Sequence, residues 1–221
     1  VLPLHLGATP DRPLEVLAIG AHPDDIEIGA GATLLRLAET RSLLRAHYVV
    51  LTGTADRQLE ARNAAHAFLP VDNLTIDLHD LPEGRLPAVW DRVKETLEVL
   101  ARSCKPDLIV APSSTDAHQD HRIIAEIVPT VFRDALYFAY EIPKWDGDLA
   151  HPTLYSPMSQ PEARRKVDLL HKCFPSQTHR AWWDDEVFLG LARLRGMECR
   201  SPYAEAFSCS KAVVLPAPPG Q

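Results

Sequence analysis

Apolar residues along this chain alternate between short dense runs and longer stretches in which they recur at helical spacing. LEVLAIG (Leu14–Gly20) is a run that ends in glycine and predicts a strand. GATLLRLAET (31–40) has its apolar residues three and four apart and predicts a helix. The pattern then repeats. AHYVVLTG (46–53) reads as a second strand and RQLEARNAAHAFL (57–69), rich in good helix formers, as a second helix. NLTIDLHD (73–80) with AVWDRVKETLEVLARSC (88–104) makes a third pair. PDLIVAPSS (106–114) with RIIAEIVPTVFRDA (122–135) makes a fourth, its helix bent at Pro129.

Strands alternating with helices of this length imply an α/β fold, a mainly parallel sheet with helices on both faces joined by right-handed crossovers. Beyond residue 135 the pattern loosens. ALYFAYEIP (135–143) reads as another strand, QPEARRKVDLLHKC (160–173) and DDEVFLGLARLRG (184–196) as helices, KAVVLP (211–216) as a last strand and PAPPGQ (216–221) as a loose tail. The 221 residues suit one domain. Within it, 14–135 is read as the α/β core that carries the chemistry and 136–215 as a less regular portion that shapes the substrate pocket.

Charge narrows the partners. With 23 basic against 30 acidic residues the formal net charge is −7, which argues against nucleic acid as the main partner. Cys104, Cys173, Cys199 and Cys209 are widely separated with no C-x-x-C pair, so neither a disulfide framework nor a thiolate zinc cluster is expected, and a reducing cytoplasm fits. No apolar run approaches the roughly 20 residues of a spanning helix, and the N-terminal residues lack a basic region followed by an apolar core. The expectation is a soluble protein whose oligomeric state, homo-oligomers included, stays open.

In an open parallel sheet the loops at the carboxyl ends of the strands share one edge, where ligands bind. AIGAHPDDIEIGAGATLL (18–35) puts His22, Pro23, Asp24 and Asp25 directly after the first strand, and DAHQDH (116–121) follows the fourth. Together they bring His22, His118 and His121 with Asp24, Asp25, Asp116 and Asp120 to one rim. Two histidines and a carboxylate with open positions make a hydrolytic zinc site, because the ion lowers the pKa of a water towards about 7. A further carboxylate can then accept the proton. On an irregular turn stiffened by Pro23, the neighbouring side chains of Asp24 and Asp25 can diverge, one to the metal and one to the water. His118 and His121, three apart, share a face at a helix start, and spacing alone leaves open which binds metal and which addresses substrate.

AHPDDIEIGAGATL, TG with RQLEARNAA, and PDLIVAPSSTDAHQDH resemble the PIG-L/LmbE-like family of zinc-dependent N-acetyl-sugar deacetylases. YEIP (140–143), SQ (176–177), RG (195–196) and YAEAF (203–207) look like its bacterial sugar-deacetylase branch, so the resemblance runs from about 14 to 207. It implies a Rossmann-like, LmbE-like sheet and one Zn2+ per chain, or another divalent transition metal, held by His22, Asp25 and His121. It further implies that Asp24 is the general base, that His118 stabilises or protonates the transition state, and that Asp120 orients His118 or supports the site. A nearby Asp120 or Asp116 would favour the imidazolium form of His118. The reaction implied is hydrolysis of the N-acetyl group of a small-molecule amino sugar (nucleotide-, glycan-, antibiotic- or thiol-precursor-linked), giving acetate and a free amine. Where many members read GCGGT this chain has GAGAT, with Ala30 and Ala32 at the start of the helix, and Pro70 stands where a glycine is frequent.

Other readings compete. HPDD alone also fits an aspartate capping the next helix, and Asp116 a second such cap or a substrate contact. GAGATL lacks the third glycine of a dinucleotide fingerprint and reads as helix packing, and Ser113 and Ser114 lack a G-x-S-x-G elbow. Arg57 is placed near the rim for a sugar or phosphate contact, against a structural salt bridge, and His179 near the pocket, against a solvated loop. Trp182 and Trp183 are core or an acceptor-facing wall, and His47, His66, His79, His151 and His171 have no ligand partner nearby in sequence. Two other functions remain: a metal-dependent hydrolase of another amide or ester, and a non-catalytic sugar- or nucleotide-binding module.

Overall fold

The structure, a computed structural model, describes residues 4–6, 12–41, 43–149 and 151–214. Five strands, β1 (Leu14–Gly20), β2 (Leu44–Thr52), β3 (Asn73–Leu81), β4 (Leu108–Pro112) and β5 (Leu136–Tyr140), run parallel. They alternate with the helices α1 (Asp25–Thr40), α2 (Ala55–Phe68), α3 (Trp90–Ser103) and α4 (Gln119–Val131). β6 (Leu154–Met158), α5 (Gln160–Cys173), α6 (Asp185–Cys199) and β7 (Tyr203–Ser208) follow, with β7 antiparallel to both β5 and β6. The sheet order is β3-β2-β1-β4-β5-β7-β6. It is an α/β fold with a mainly parallel sheet, as the alternation predicts, and no helix of the described residues is long and apolar enough to cross a membrane.

Both faces of the central strands are buried over most of their length, which is why these strands read as near-continuous apolar runs and not as alternating ones, charged residues falling near their amino ends. Val16, Ala18, Tyr48, Val50 and Val110 pack under α1, α2 and α5 through Leu34, Phe68 and Leu170. Leu17, Ile19, Val49, Leu51 and Ile109 pack under α3 and α4 through Leu97, Ile124 and Val128.

Three elements depart from the sequence reading. α1 begins at Asp25, six residues before the predicted Gly31, so Gly29 to Thr33 lie inside the helix and not at its start. The small residues there admit close neighbours: a Cβ on Gly29 would stand 2.5 Å from the Tyr140 ring, and one on Gly31 would stand 2.6 Å from the Phe68 ring. β6 and β7 replace the predicted last strand, since 211–214 form no regular structure and the rest of KAVVLP, like PAPPGQ, lies outside the described residues. α4 runs through Pro129 and ends two residues later.

β7 fastens α1 from the side. Glu205 accepts from the N–H groups of Ala32 (2.8 Å) and Thr33 (2.7 Å), and Lys166 donates to the carbonyl of Ile28 (2.6 Å) and to Glu205 (2.7 Å). Ala32 N–H and Ile28 C=O are an i to i−4 pair, so two side chains engage groups that the helix ladder normally joins.

Candidate active site

The two histidine-bearing segments meet at the carboxyl ends of β1 and β4, adjacent strands at which the strand order reverses. An open α/β sheet has its crevice at that point. Between β1 and α1 the chain turns sharply, and Asp24 makes the turn with φ 108° and ψ −26°. Positive φ is costly for most side chains and least so for Asp, Asn and Gly. The turn separates two adjacent carboxylates. Asp25 Oδ2 folds back to accept from the His22 backbone N–H at 2.8 Å, while Asp24 Oδ2 meets Arg57 Nη2 at 2.8 Å. Asp24 stands at the N-cap of α1 yet its side chain makes no capping hydrogen bond, so the cap explanation of HPDD does not describe it.

His22 Nδ1, Asp25 Oδ2 and His121 Nε2 form a triangle with edges of 3.3 Å (His22–Asp25), 3.2 Å (His121–Asp25) and 3.3 Å (His22–His121). Tetrahedral N and O donors about 2.0–2.1 Å from an ion stand about 3.3–3.4 Å apart, so the triangle fits three ligands of one zinc-class ion with the fourth position open. The remaining nitrogen of each imidazole sits on a carboxylate: His121 Nδ1 is 2.8 Å from Asp116 Oδ2, and His22 Nε2 is 3.3 Å from Asp120 Oδ2. Carboxylates so placed fix the ring and leave the inner nitrogen free to ligate. They are held in turn. Asp120 accepts from the N–H groups of Gly84 (2.6 Å) and Leu86 (3.0 Å), and Asp116 accepts from His118 N–H (2.7 Å) and Lys144 Nζ (2.9 Å).

The cluster has a strong appetite for positive charge. Burial disfavours the imidazolium form of His22 and His121, but Asp25 with Asp120 and Asp24 pushes His22 up to about 10, and Asp25 with Asp116 pushes His121 up to about 9. Asp25 lies well below the usual carboxylate range, held there against burial by His121 and His22. Burial lifts Asp24 to about 7, with Arg57 opposing and Asp25 adding to the rise.

His118 caps α4, its ring centroid 4.7 Å from that of His22 and 4.9 Å from that of His121. One ligating atom from each of the three histidines lies within 4.8 Å of the others, so His118 belongs to the same cluster. Its Nδ1 accepts from the Asp120 N–H at 3.2 Å, which puts the proton of the neutral ring on Nε2, and Nε2 has no hydrogen-bond partner among the described residues. Burial and then the neighbouring His22 and His121 lower its pKa, so the structure favours a neutral donor where the sequence suggested an imidazolium.

The structure redistributes other expectations. The Asp120 carboxylate reaches the ring of His22 while its backbone N–H holds that of His118, and the Asp116 carboxylate serves His121 and not the cap of α4. Arg57 is engaged with Asp24 and with the Pro23 carbonyl, with Glu83 4.0 Å away, so the salt bridge weighed against a substrate contact is present. His179 is exposed in the turn after the 3-10 helix Pro175–Gln177 and makes no hydrogen bond or ion pair to the cluster among the described residues. Lys144 was not anticipated; the sole sequence signal is its position directly after YEIP. Beside it Trp145 is 72% exposed, its ring edge-on to Trp182 at 6.4 Å.

A doubly wound sheet with a histidine–carboxylate cluster at its reversal point is an α/β fold with a candidate metal centre where such sheets bind ligands. The chain belongs to the PIG-L family: residues 17–132, more than half of it and all of the segments that build the centre, match the family described as GlcNAc-PI de-N-acetylase. It is 31% identical over 121 residues to the uncharacterized deacetylase YaiS of Escherichia coli (strain K12), a match covering 48% of this chain and 61% of that protein. The chain thus spans less than two thirds of the length of that relative. Among solved structures it is similar to N,N'-diacetylchitobiose deacetylase from Pyrococcus horikoshii, with TM-score 0.69, 20% identity, and 88% of this chain and 83% of that one covered. It is also similar to GalB, the 4-carboxy-2-hydroxymuconate hydratase from Pseudomonas putida KT2440, with TM-score 0.74, 17% identity, and 92% and 99% covered. At these identities the likeness shows the fold, and the fold carries more than one reaction.

Proposed function

We propose that this chain is a metal-dependent N-deacetylase that hydrolyses the N-acetyl group of a small-molecule amino sugar, releasing acetate and a free amine. The observation that carries the reading is the triangle of His22 Nδ1, Asp25 Oδ2 and His121 Nε2, with edges of 3.2–3.3 Å and an outer carboxylate on each imidazole. When bound there, a zinc-class ion supplies a Lewis acid that polarises the amide carbonyl and acidifies water.

The chain's own groups do the rest. Asp24, the carboxylate left outside the triangle, accepts a proton from the attacking water as its oxygen bonds to the acetyl carbon. Arg57 opposes the rise that burial imposes on Asp24 and aims its carboxylate. The Nε2–H of His118 donates to the carbonyl oxygen as negative charge develops on it. When the C–N bond breaks, Asp24 returns its proton to the leaving nitrogen. The exposed face of Trp145, beside Lys144, is available to stack on a sugar ring.

The test is acetate release from a panel of N-acetyl sugars, free, nucleotide-linked and glycan-linked, with and without chelator. Turnover that is lost on chelation and restored by zinc supports the reading. Binding of the panel without acetate release would make the chain a binding module, and turnover only on other amides or esters would move the substrate class.

A further inference from the structure

We propose that Glu15, His47 and Cys104 form a second metal site, at the opposite rim of the sheet from the histidine–carboxylate centre, that takes one zinc-class divalent ion through a carboxylate, an imidazole and a thiolate. Glu15 is the second residue of β1 and His47 the fourth of β2, and the register pairs Glu15 with Arg45 and Leu17 with His47. Alternation therefore points Glu15 and His47 to the face covered by α3, where Cys104 follows the last turn of that helix. One ligating atom from each of the three side chains lies within 4.8 Å of the others.

Several independent features favour a ligand. The donor set is mixed N, O and S, which suits zinc and its neighbours far better than calcium or magnesium. His47 is 8% exposed, and its buried Nδ1 has no hydrogen-bond partner; its Nε2 stands 3.7 Å from Glu15 Oε1, too far for a hydrogen bond and near the separation of two ligands of one ion. Glu15 is fixed in place because Oε1 accepts from the Lys105 N–H at 2.8 Å, which also fixes the backbone beside Cys104.

The charges around the cluster favour a cation. Glu15 and, from β3, Asp77 act on Cys104, while the facing cation is Arg45, whose side chain is 53% exposed and whose Nη1 is 3.6 Å from Glu15 Oε2. Without an ion, burial and these two carboxylates push the Cys104 thiol up to about 12, so it is protonated. Binding is then an exchange: the Sγ–H bond breaks, the proton leaves to solvent and Sγ bonds to the divalent cation, one proton released per ion.

The two sites are about 20 Å apart along β1, and their donors differ in kind. The first contains no sulfur. Titrating the full chain, in a Cys199→Ser, Cys209→Ser background, with Co2+ separates them, because a near-ultraviolet thiolate-to-cobalt charge-transfer band reports the sulfur site alone. The expected result is two Co2+ per chain and one proton released with the band. The band should be abolished in Cys104→Ser, weakened at least 10-fold in apparent affinity in His47→Gln, and unchanged in His22→Ala. Absence of the band, its survival in Cys104→Ser, unchanged affinity in His47→Gln, or its loss in His22→Ala would overturn the proposal. Because the readout is spectroscopic and independent of acetate release, it stands or falls apart from the deacetylase reading.

Discussion

Asp116→Asn tests whether the outer carboxylates set the affinity of the metal centre. Three donors converge on Asp116: His118 N–H at 2.7 Å, His121 Nδ1 at 2.8 Å and Lys144 Nζ at 2.9 Å. A carboxamide offers one accepting oxygen and one NH2; His121 and Lys144 share Oδ2 and His118 N–H takes Oδ1, so the NH2 opposes either His118 alone or His121 and Lys144 together. Where it opposes His121, the ring keeps its proton on Nε2, the nitrogen that belongs to the triangle. Lys144, a half-buried ammonium, loses one of its two carboxylates, the other being Asp148 at 2.7 Å. Losing one charge-assisted hydrogen bond costs about 1.5–3 kcal/mol. Expressed at this centre, that is a loss of roughly 10- to 100-fold in metal affinity, the range typical of carboxylates that orient ligating histidines. Chelator competition with Zn2+ at fixed pH measures it. Asp148→Asn is the control, since Asp148 holds the same lysine and the Ala117 N–H but does not touch His121. It should stay within about 2-fold of wild type. Wild-type affinity in Asp116→Asn would refute the reasoning, and an equal loss in Asp148→Asn would assign the effect to the Lys144 loop instead of the imidazole.

Asp24→Asn preserves the positive-φ turn and the metal triangle but removes the proton acceptor, so kcat should fall about 100- to 10,000-fold with metal occupancy intact; steady-state kinetics with metal analysis check both. Arg57→Met removes the cation that holds down the pKa of Asp24, so the acidic limb of kcat/KM should move to higher pH, the base being protonated over a wider range. A rise in KM with an unmoved limb would restore Arg57 to a substrate contact. His118→Ala should retain metal and lose about 100- to 1,000-fold in kcat, the scale of one oxyanion donor, and metal loss in this variant with retention in His121→Ala would exchange the two roles. Glu205→Ala strands the buried ammonium of Lys166 and the N–H groups of Ala32 and Thr33, and should destabilise the fold by about 3–5 kcal/mol in urea unfolding.

The legible part of this protein is the part governed by local pattern. The first four strands and their helices carry dense or periodic apolar residues, and HPDD and DAHQDH fall at strand ends because parallel strands deliver their following loops to one edge. What failed to read from sequence was set by contacts between distant segments. β7 is a strand because β5 and β6 flank it, and its glutamate is explained by α1, more than 170 residues earlier. β6 contains Pro157, a poor strand signal. The partners of Asp116 and Asp120 were interchangeable on paper, since both precede His121 closely; only the direction of α4 sends one to His121 and the other to His22. The sequence marks Arg57 as a basic group near the rim, but a positive-φ turn is invisible in sequence, and that turn is what swings Asp24 towards it.

His22 and His121 are 99 positions apart. In a flexible chain, bringing such distant ends together costs about 4 kcal/mol of loop entropy. Here that cost is met by strand pairing: β1 and β4 lie side by side through Val16–Leu108, Leu17–Ile109 and Ala18–Val110, well below the rim. The rings therefore arrive already juxtaposed, and a ligand that bridges them inherits the proximity and does not have to create it. The same arrangement sets an order of events during folding. A chain released from synthesis cannot assemble this centre until the segment to His121 has emerged and docked against the first strand, so the interval before that docking is when the apolar edge of β1 is exposed to other chains.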